Sequence, residues 1–256
     1  MSLKGKKSLR KKLLCGFAGL MAGVIIIFNA IPGLSYGASR IPVLKDVVRV
    51  VTFGRFEVKE ENYEADVTAP HIEGLINKDL ESKINFQFKA NANTIIDAFE
   101  EDIEKLSEEY GDKNFHLSVN ADYVVKTNNK DILALDFSVT SIEASAATTH
   151  HFYNIDKNTG NIIKLESLFK ENSNYTDVIS SYLTDEMKRL NKEENAAYFI
   201  AEEEPGGFEK IKPEQNFYIK DGGNIVICFD EYEVAAGYMG SPEFEIPEEI
   251  LKDIKK

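Results

Sequence analysis

The stretch NFYIKDGGNIVICFDEYEVAAGYMGSPEFEIP, residues 216–247, decides how this chain is read. Residues 216–220 carry a short strand pattern, and Asp221-Gly222-Gly223 turns it, since the glycines supply the positive φ of a tight hairpin. The return holds Ile225, Val226, Ile227, Cys228 and Phe229 in succession, too continuously apolar for a solvent-washed strand. Asp230-Glu231-Tyr232-Glu233-Val234 then leads into Ala235-Ala236-Gly237-Tyr238-Met239-Gly240, two glycines with an aromatic and a methionine between polar strands. Such a loop can push Tyr238 outward on a backbone that needs little side-chain bulk. The plainer alternative is a tight loop whose tyrosine caps the core.

Outward from this stretch, strand and helix patterns alternate. Residues after Pro247 read as a short helical end, and residues 191–215 as loop, with Glu202-Glu203-Glu204 and a Pro205-Gly206-Gly207 turn. Residues 175–190 form a helix with Val178, Ile179, Tyr182, Leu183 and Met187 inward. Three strands are expected over 115–127, 132–145 and 148–155. Residues 128–131 close a hairpin, and Asp156 to Gly160 turn into 161–165 before a short helical turn at Leu168-Phe169. Leu133, Leu135, Phe137 and Val139 alternate with Ala134, Asp136 and Ser138, as in a half-buried strand.

The longest helical pattern begins at Ile76 and reaches Tyr110, with Leu80, Ile84, Phe88, Ala92, Ile95, Phe99, Ile103 and Leu106 on one stripe. Asn77, Lys78, Asp79 and Glu81 read as solvated-face residues, and the acids at 100–109 as solvation of the helix end. Residues 56–68 read as one irregular strand, His71 to Gly74 as a turn, and the run up to Phe53 as a short amphipathic helix with Val47, Val48 and Val51 on one side. Strands dominated by meanders, mixed with long helices, define an α+β class with antiparallel sheets, in two lobes joined near residues 145–155.

With 256 residues, 43% hydrophobic and 29% charged, the chain can bury a sizeable core. Its net charge of −13 is uneven. Residues 1–12 hold six of the thirty basic residues and no acid, so the remainder sets 24 positive charges against 43 negative, a net of −19. Such a body repels nucleic acid and favours a cationic partner. Two cysteines do not make a disulfide framework: Cys15 lies in an apolar segment and Cys228 mid-strand, where it reads as a small hydrophobe.

Residues 13–31 carry no charge and directly follow the basic cluster, long enough to span a bilayer with the N-terminus inside. Two readings compete: a permanent transmembrane anchor, or the apolar region of a signal peptide cut by signal peptidase between Gly37 and Ala38. In both, everything after about residue 38 faces outward, either on the cell membrane or released after cleavage.

No Gly-x-Ser-x-Gly, His-Glu-x-x-His or phosphate-binding glycine loop is present, and His150 and His151, adjacent on a strand, would face opposite sides. Asp230 with Glu231 or Glu233 reads as surface charge at a strand end. Neither an enzymatic activity, a metal nor a cofactor is expected. The residues point instead to an outward-facing acidic binding domain with Tyr238 as anchor.

Leu165 to Lys170, the hairpin of residues 216–229 and above all Phe229 to Gly240 resemble the ectodomain of the RsiV family, membrane-bound anti-sigma factors of Gram-positive bacteria that sense lysozyme. Arg40-Ile41-Pro42-Val43, Thr52-Phe53 and Asn77 to Glu81 extend the similarity over residues 30–250. The resemblance implies a PdaC-type lobe over 39–147 and a DUF3298-like lobe over 148–250. It also implies that lysozyme is bound through its substrate cleft, with Tyr238 central and Gly237, Ala236 and Met239 beside it. Ala146, Ala147 and Thr148 would form a second contact region, whose small side chains permit close approach. Ala236 stands where the family carries proline. Only twelve residues precede the apolar run, where the family has a longer sigma-binding segment. The expectation is therefore a lysozyme-binding inhibitor, with a true anti-sigma factor of incomplete N-terminus as the alternative. A third alternative is a peptidoglycan-binding or deacetylase-associated module.

Overall fold

The computed structural model describes residues 48–111, 114–143 and 145–256. The basic segment, the apolar stretch at 13–31 and the Gly37–Ala38 cleavage site lie outside these residues. Among the described residues no helix is long and apolar enough to cross a membrane.

β1 (Arg49–Lys59) and β2 (Tyr63–Glu73) form a long antiparallel hairpin, with Arg49 opposite Glu73 and Lys59 opposite Glu64. This corrects three expectations. The valine-rich residues 49–53 are strand rather than helix, as β-branched side chains favour. Residues 56–68 are two strands, not one, because the chain reverses at Glu60-Glu61-Asn62, a turn without glycine or proline to announce it. His71 to Glu73 end β2 rather than form a turn.

α1 (Lys78–Tyr110) follows the expected stripe, with Leu80, Ile84, Phe88, Ala92, Ile95, Phe99 and Leu106 buried. Its start is built by residues first read as mere surface. The Asn77 side chain caps the Leu80 N–H at 3.0 Å, and Glu81 reaches back to accept the N–H of Leu75, two residues before the cap, at 2.7 Å, fixing the entry to the helix. Gly111, at φ 77°, ends the helix.

α1 is a crossover, so β3 (Leu117–Asn128) returns parallel to β2, the one parallel pair in an otherwise antiparallel sheet. β4 (Ile132–Ile142), β5 (Ala146–Asp156) and β6 (Asn161–Ile162) complete the six-stranded sheet in chain order. Phe88 meets Phe137 and Tyr153 in the core between α1 and this sheet.

α2 (Tyr175–Glu193) and the three-stranded sheet β7 (Phe217–Ile219), β8 (Ile225–Cys228) and β9 (Glu243–Ile246) enclose a second core; α3 (Glu248–Leu251) follows. β8 is buried at all four positions. Ile225 and Ile227 belong to the core beneath α2, while Val226 and Cys228 pack with Ala134 and Tyr218. β4 is consequently buried on both faces at its centre. Ala134 and Asp136, expected to face solvent, are covered by the second unit. The two domains are thus joined across the sheet. The outer edge of β7 is closed by side chains: Asn154 donates to Phe217 O and accepts from Ile219 N–H, and Thr127 donates to Ile219 O. The division expected between residues 147 and 148 falls inside β5, which pairs with β4 from Ala146 to Asp156.

Candidate ligand-binding site

The loop that follows β8 is held at both ends. Phe229 is buried and its N–H donates to Pro242 O at 3.0 Å. Asp230, which the sequence presents as surface charge, is half-buried: its Oδ1 accepts the His150 N–H at 2.8 Å, and its own N–H donates to Glu233 Oε2 at 3.0 Å. Glu231 N–H donates to Thr148 O at 3.0 Å. The two segments expected to contact a ligand, residues 146–148 on β5 and the loop beginning at Asp230, are therefore hydrogen-bonded neighbours.

Tyr232 adopts φ 67°, in the left-handed region, and turns the chain into buried Val234 and Ala235. Its ring lies on Gly237, where a Cβ would overlap it. Ala236 donates to Ala197 O at 3.0 Å, and Met239 Sδ accepts the Ala197 N–H at 3.1 Å. Between these staples, Gly237–Met239 form a single 3₁₀ turn closed by Met239 N–H to Ala236 O and Gly240 N–H to Gly237 O. Gly240 leaves the turn at φ 67°. Tyr238 is carried at the tip, 78% exposed, and does not cap the core. Ala236, Gly237 and Met239 flank it and are half-buried, as are Ala146, Ala147 and Thr148 on β5, which meet the loop at Glu231.

Below the loop lies a polar junction that nothing in the sequence announced, because its members come from five strands and the segment after β8. His150 Nδ1 sits 3.0 and 3.1 Å from the two oxygens of buried Asp136. Lys126 pairs with Glu243 at 2.6 Å and approaches Asp136 at 3.8 Å, and Tyr218 donates to Glu243 at 3.1 Å. Phe152 stacks between His150 and Tyr218. Burial alone would lower the His150 pKa, but the hydrogen bond and charge of Asp136 outweigh it and raise the net value. Burial pushes Asp230 up to about 6, against the His150 N–H that it accepts. His151, on the opposite side of β5, is lowered to about 4 by burial and by His150. Burial likewise raises the Cys228 thiol, making it an inert packing group. Among the described residues no cluster of three or more His, Cys, Asp or Glu side chains could hold a metal ion.

Residues 56–141 match the family model described as Deacetylase PdaC, and residues 166–249 match that of a protein of unknown function, DUF3298. DUF3298 proteins of known structure share the fold. One from Bacteroides fragilis superposes with a TM-score of 0.58 at 15% identity, covering 83% of this chain and 95% of its own. Another from Pseudomonas aeruginosa gives 0.53 at 12% identity, covering 84% and 97%. The chain is therefore a two-domain protein that joins a PdaC module to a DUF3298 module.

It belongs to the family of the anti-sigma-V factor RsiV: 34% identity to the Bacillus subtilis protein extends over 242 residues, 93% of this chain and 82% of that one. The peptidoglycan-N-acetylmuramic acid deacetylase PdaC of the same organism is 28% identical over 68% of this chain, which spans 36% of that enzyme.

Proposed function

We propose that this chain is an outward-facing receptor for lysozyme, tethered to the cell membrane by residues 13–31 with the basic residues 1–12 inside. It inserts Tyr238 into the enzyme's substrate cleft, blocks it stoichiometrically and so contributes to lysozyme resistance. The carrying observation is Tyr238 itself: a large aromatic, 78% exposed, on a turn tied to Ala197 by the Ala236 N–H before it and the Met239 sulfur after it. A rigid exposed aromatic loses little entropy on binding, which is what a hot-spot anchor requires. Thr148 and its neighbours Ala146 and Ala147 border the same segment with small side chains. The excess of acids suits a cationic enzyme.

A second reading, control of a sigma factor triggered by lysozyme and cleavage near Gly37 and Ala38 by signal peptidase, is favoured by the 34% identity to an anti-sigma factor. One experiment addresses both. Residues 39–256 are mixed with lysozyme in a pull-down and a muramidase assay, and the full chain in cells is blotted for lysozyme-dependent shortening. Binding with 1:1 loss of muramidase activity supports the inhibitor. Binding with shortening of the full chain and an active enzyme supports the sensor alone. No binding overturns both.

A further inference from the structure

The side of the PdaC domain where β1 meets α1 carries a face that the lysozyme reading does not use. Phe53 on β1 is 60% exposed and Phe86 on α1 is 76% exposed. Lys89, one turn beyond Phe86, holds its Nζ 5.8 Å from the Phe53 ring centroid, and His71 stacks on that ring at 5.5 Å. Lys83 lies one turn before Phe86, and Arg49, where β1 begins, pairs in register with Glu73. Two large apolar rings among cations, on a chain with a strong acidic excess, form an exception in both hydropathy and charge.

We infer that this face docks on the anionic phospholipid surface of the membrane that carries residues 13–31, with Phe53 and Phe86 in the headgroup region and Lys83, Lys89 and Arg49 against lipid phosphates. Three observations select that occupant. The described body begins at Val48, only sixteen residues after the apolar stretch, and Val48 lies five residues before Phe53 on the same extended chain, about 16 Å at strand spacing, so the tether joins the body on the strand that carries the patch. The charge of α1 is polarised along its length: residues 78–96 hold three lysines and two acids, residues 97–110 seven acids and one lysine. An anionic surface attracts the first half and repels the second, orienting the helix with its start toward lipid. Exposed aromatics flanked by basic residues match the interfacial region, where amphipathic side chains place ring and charge at different depths. The inference rests on residues 13–31 crossing the membrane.

The chain contains no tryptophan, so a single introduced indole reports its own surroundings. The full chain is reconstituted into vesicles with or without phosphatidylglycerol, carrying either Phe86→Trp or Tyr110→Trp; the second position lies roughly 36 Å further along α1. The expected result is blue-shifted Phe86→Trp emission, quenched severalfold more by headgroup-proximal brominated lipid than Tyr110→Trp. That quenching falls in pure phosphatidylcholine and with Lys83→Glu plus Lys89→Glu. Equal quenching at both positions, or none at either while the chain resists alkaline extraction, overturns the docking face and leaves the anchor standing. A blue shift without lipid quenching shows protein covering the face and also overturns it. Extraction of the chain by alkali overturns the anchor reading and this inference with it.

Discussion

At Gly237 the missing Cβ lets the Tyr232 ring rest on the loop backbone. Gly237→Ala is expected to cost about 1 kcal/mol of stability, because the added Cβ displaces the half-exposed Tyr232 ring from the loop backbone; urea midpoints measure it. Tyr238→Ala should leave stability unchanged while weakening lysozyme binding by about 2 kcal/mol or more, read by calorimetry. Unchanged affinity would remove Tyr238 from the site. Ala236 has φ −64°, a value that proline adopts, yet its N–H donates to Ala197 O. Ala236→Pro therefore gains chain stiffness and loses a hydrogen bond. The expected net is a loss of roughly 1 kcal/mol in stability, with the loop geometry kept. The glycine-flanked aromatic was legible in the sequence, while its outward direction stood beside a core-capping alternative that the structure excludes. The division between an exposed Tyr238 and a Tyr232 that holds the loop was not, since it depends on a left-handed φ at a non-glycine residue.

At the scale of elements, the edge of β7 is completed by Asn154 instead of another strand. Asn154→Ala removes both bonds and strands a buried N–H and C=O, so a loss of about 2–4 kcal/mol is expected. Asn154→Asp, which retains only the acceptor, should also destabilise. The same junction carries a pH dependence. The folded pKa of His150 is raised, so its contribution to stability is fully present below about pH 6.5 and is lost as pH rises through the folded value. Asp230 is raised from 3.8 to about 6, so it too favours acid, and its contribution is lost as pH climbs through about 6. The prediction is a fall in stability as pH rises from about 6.5 through the raised pKa of His150, shallower in His150→Gln, measured by denaturant midpoints. Parallel curves for variant and parent would refute it. Helices and strands with clean periodicity, such as α1 and β8, could be read directly. The β1–β2 turn could not, because three polar residues without glycine or proline carry no turn signature, and its strength comes from the register of the flanking strands.

For the molecule as a whole, the acidic excess should act on association rate. Lysozyme binding is expected to slow severalfold between low and physiological salt while dissociation changes little, as stopped-flow mixing would show. The sequence by itself determined the α+β class, the long helix, the all-buried β8 and a glycine-flanked loop around Tyr238, because each is written in local periodicity and in glycine placement; that Tyr238 points outward was decided by the structure. Only the tertiary structure decided that β2 and β3 run parallel, that β4 is covered on both faces, and that Asp136, His150, Lys126, Glu243 and Asp230 meet. Those facts depend on which strands lie side by side and which faces are then shut off from water. Residues tens of positions apart acquire their energetics only once the low-dielectric junction between the sheets exists.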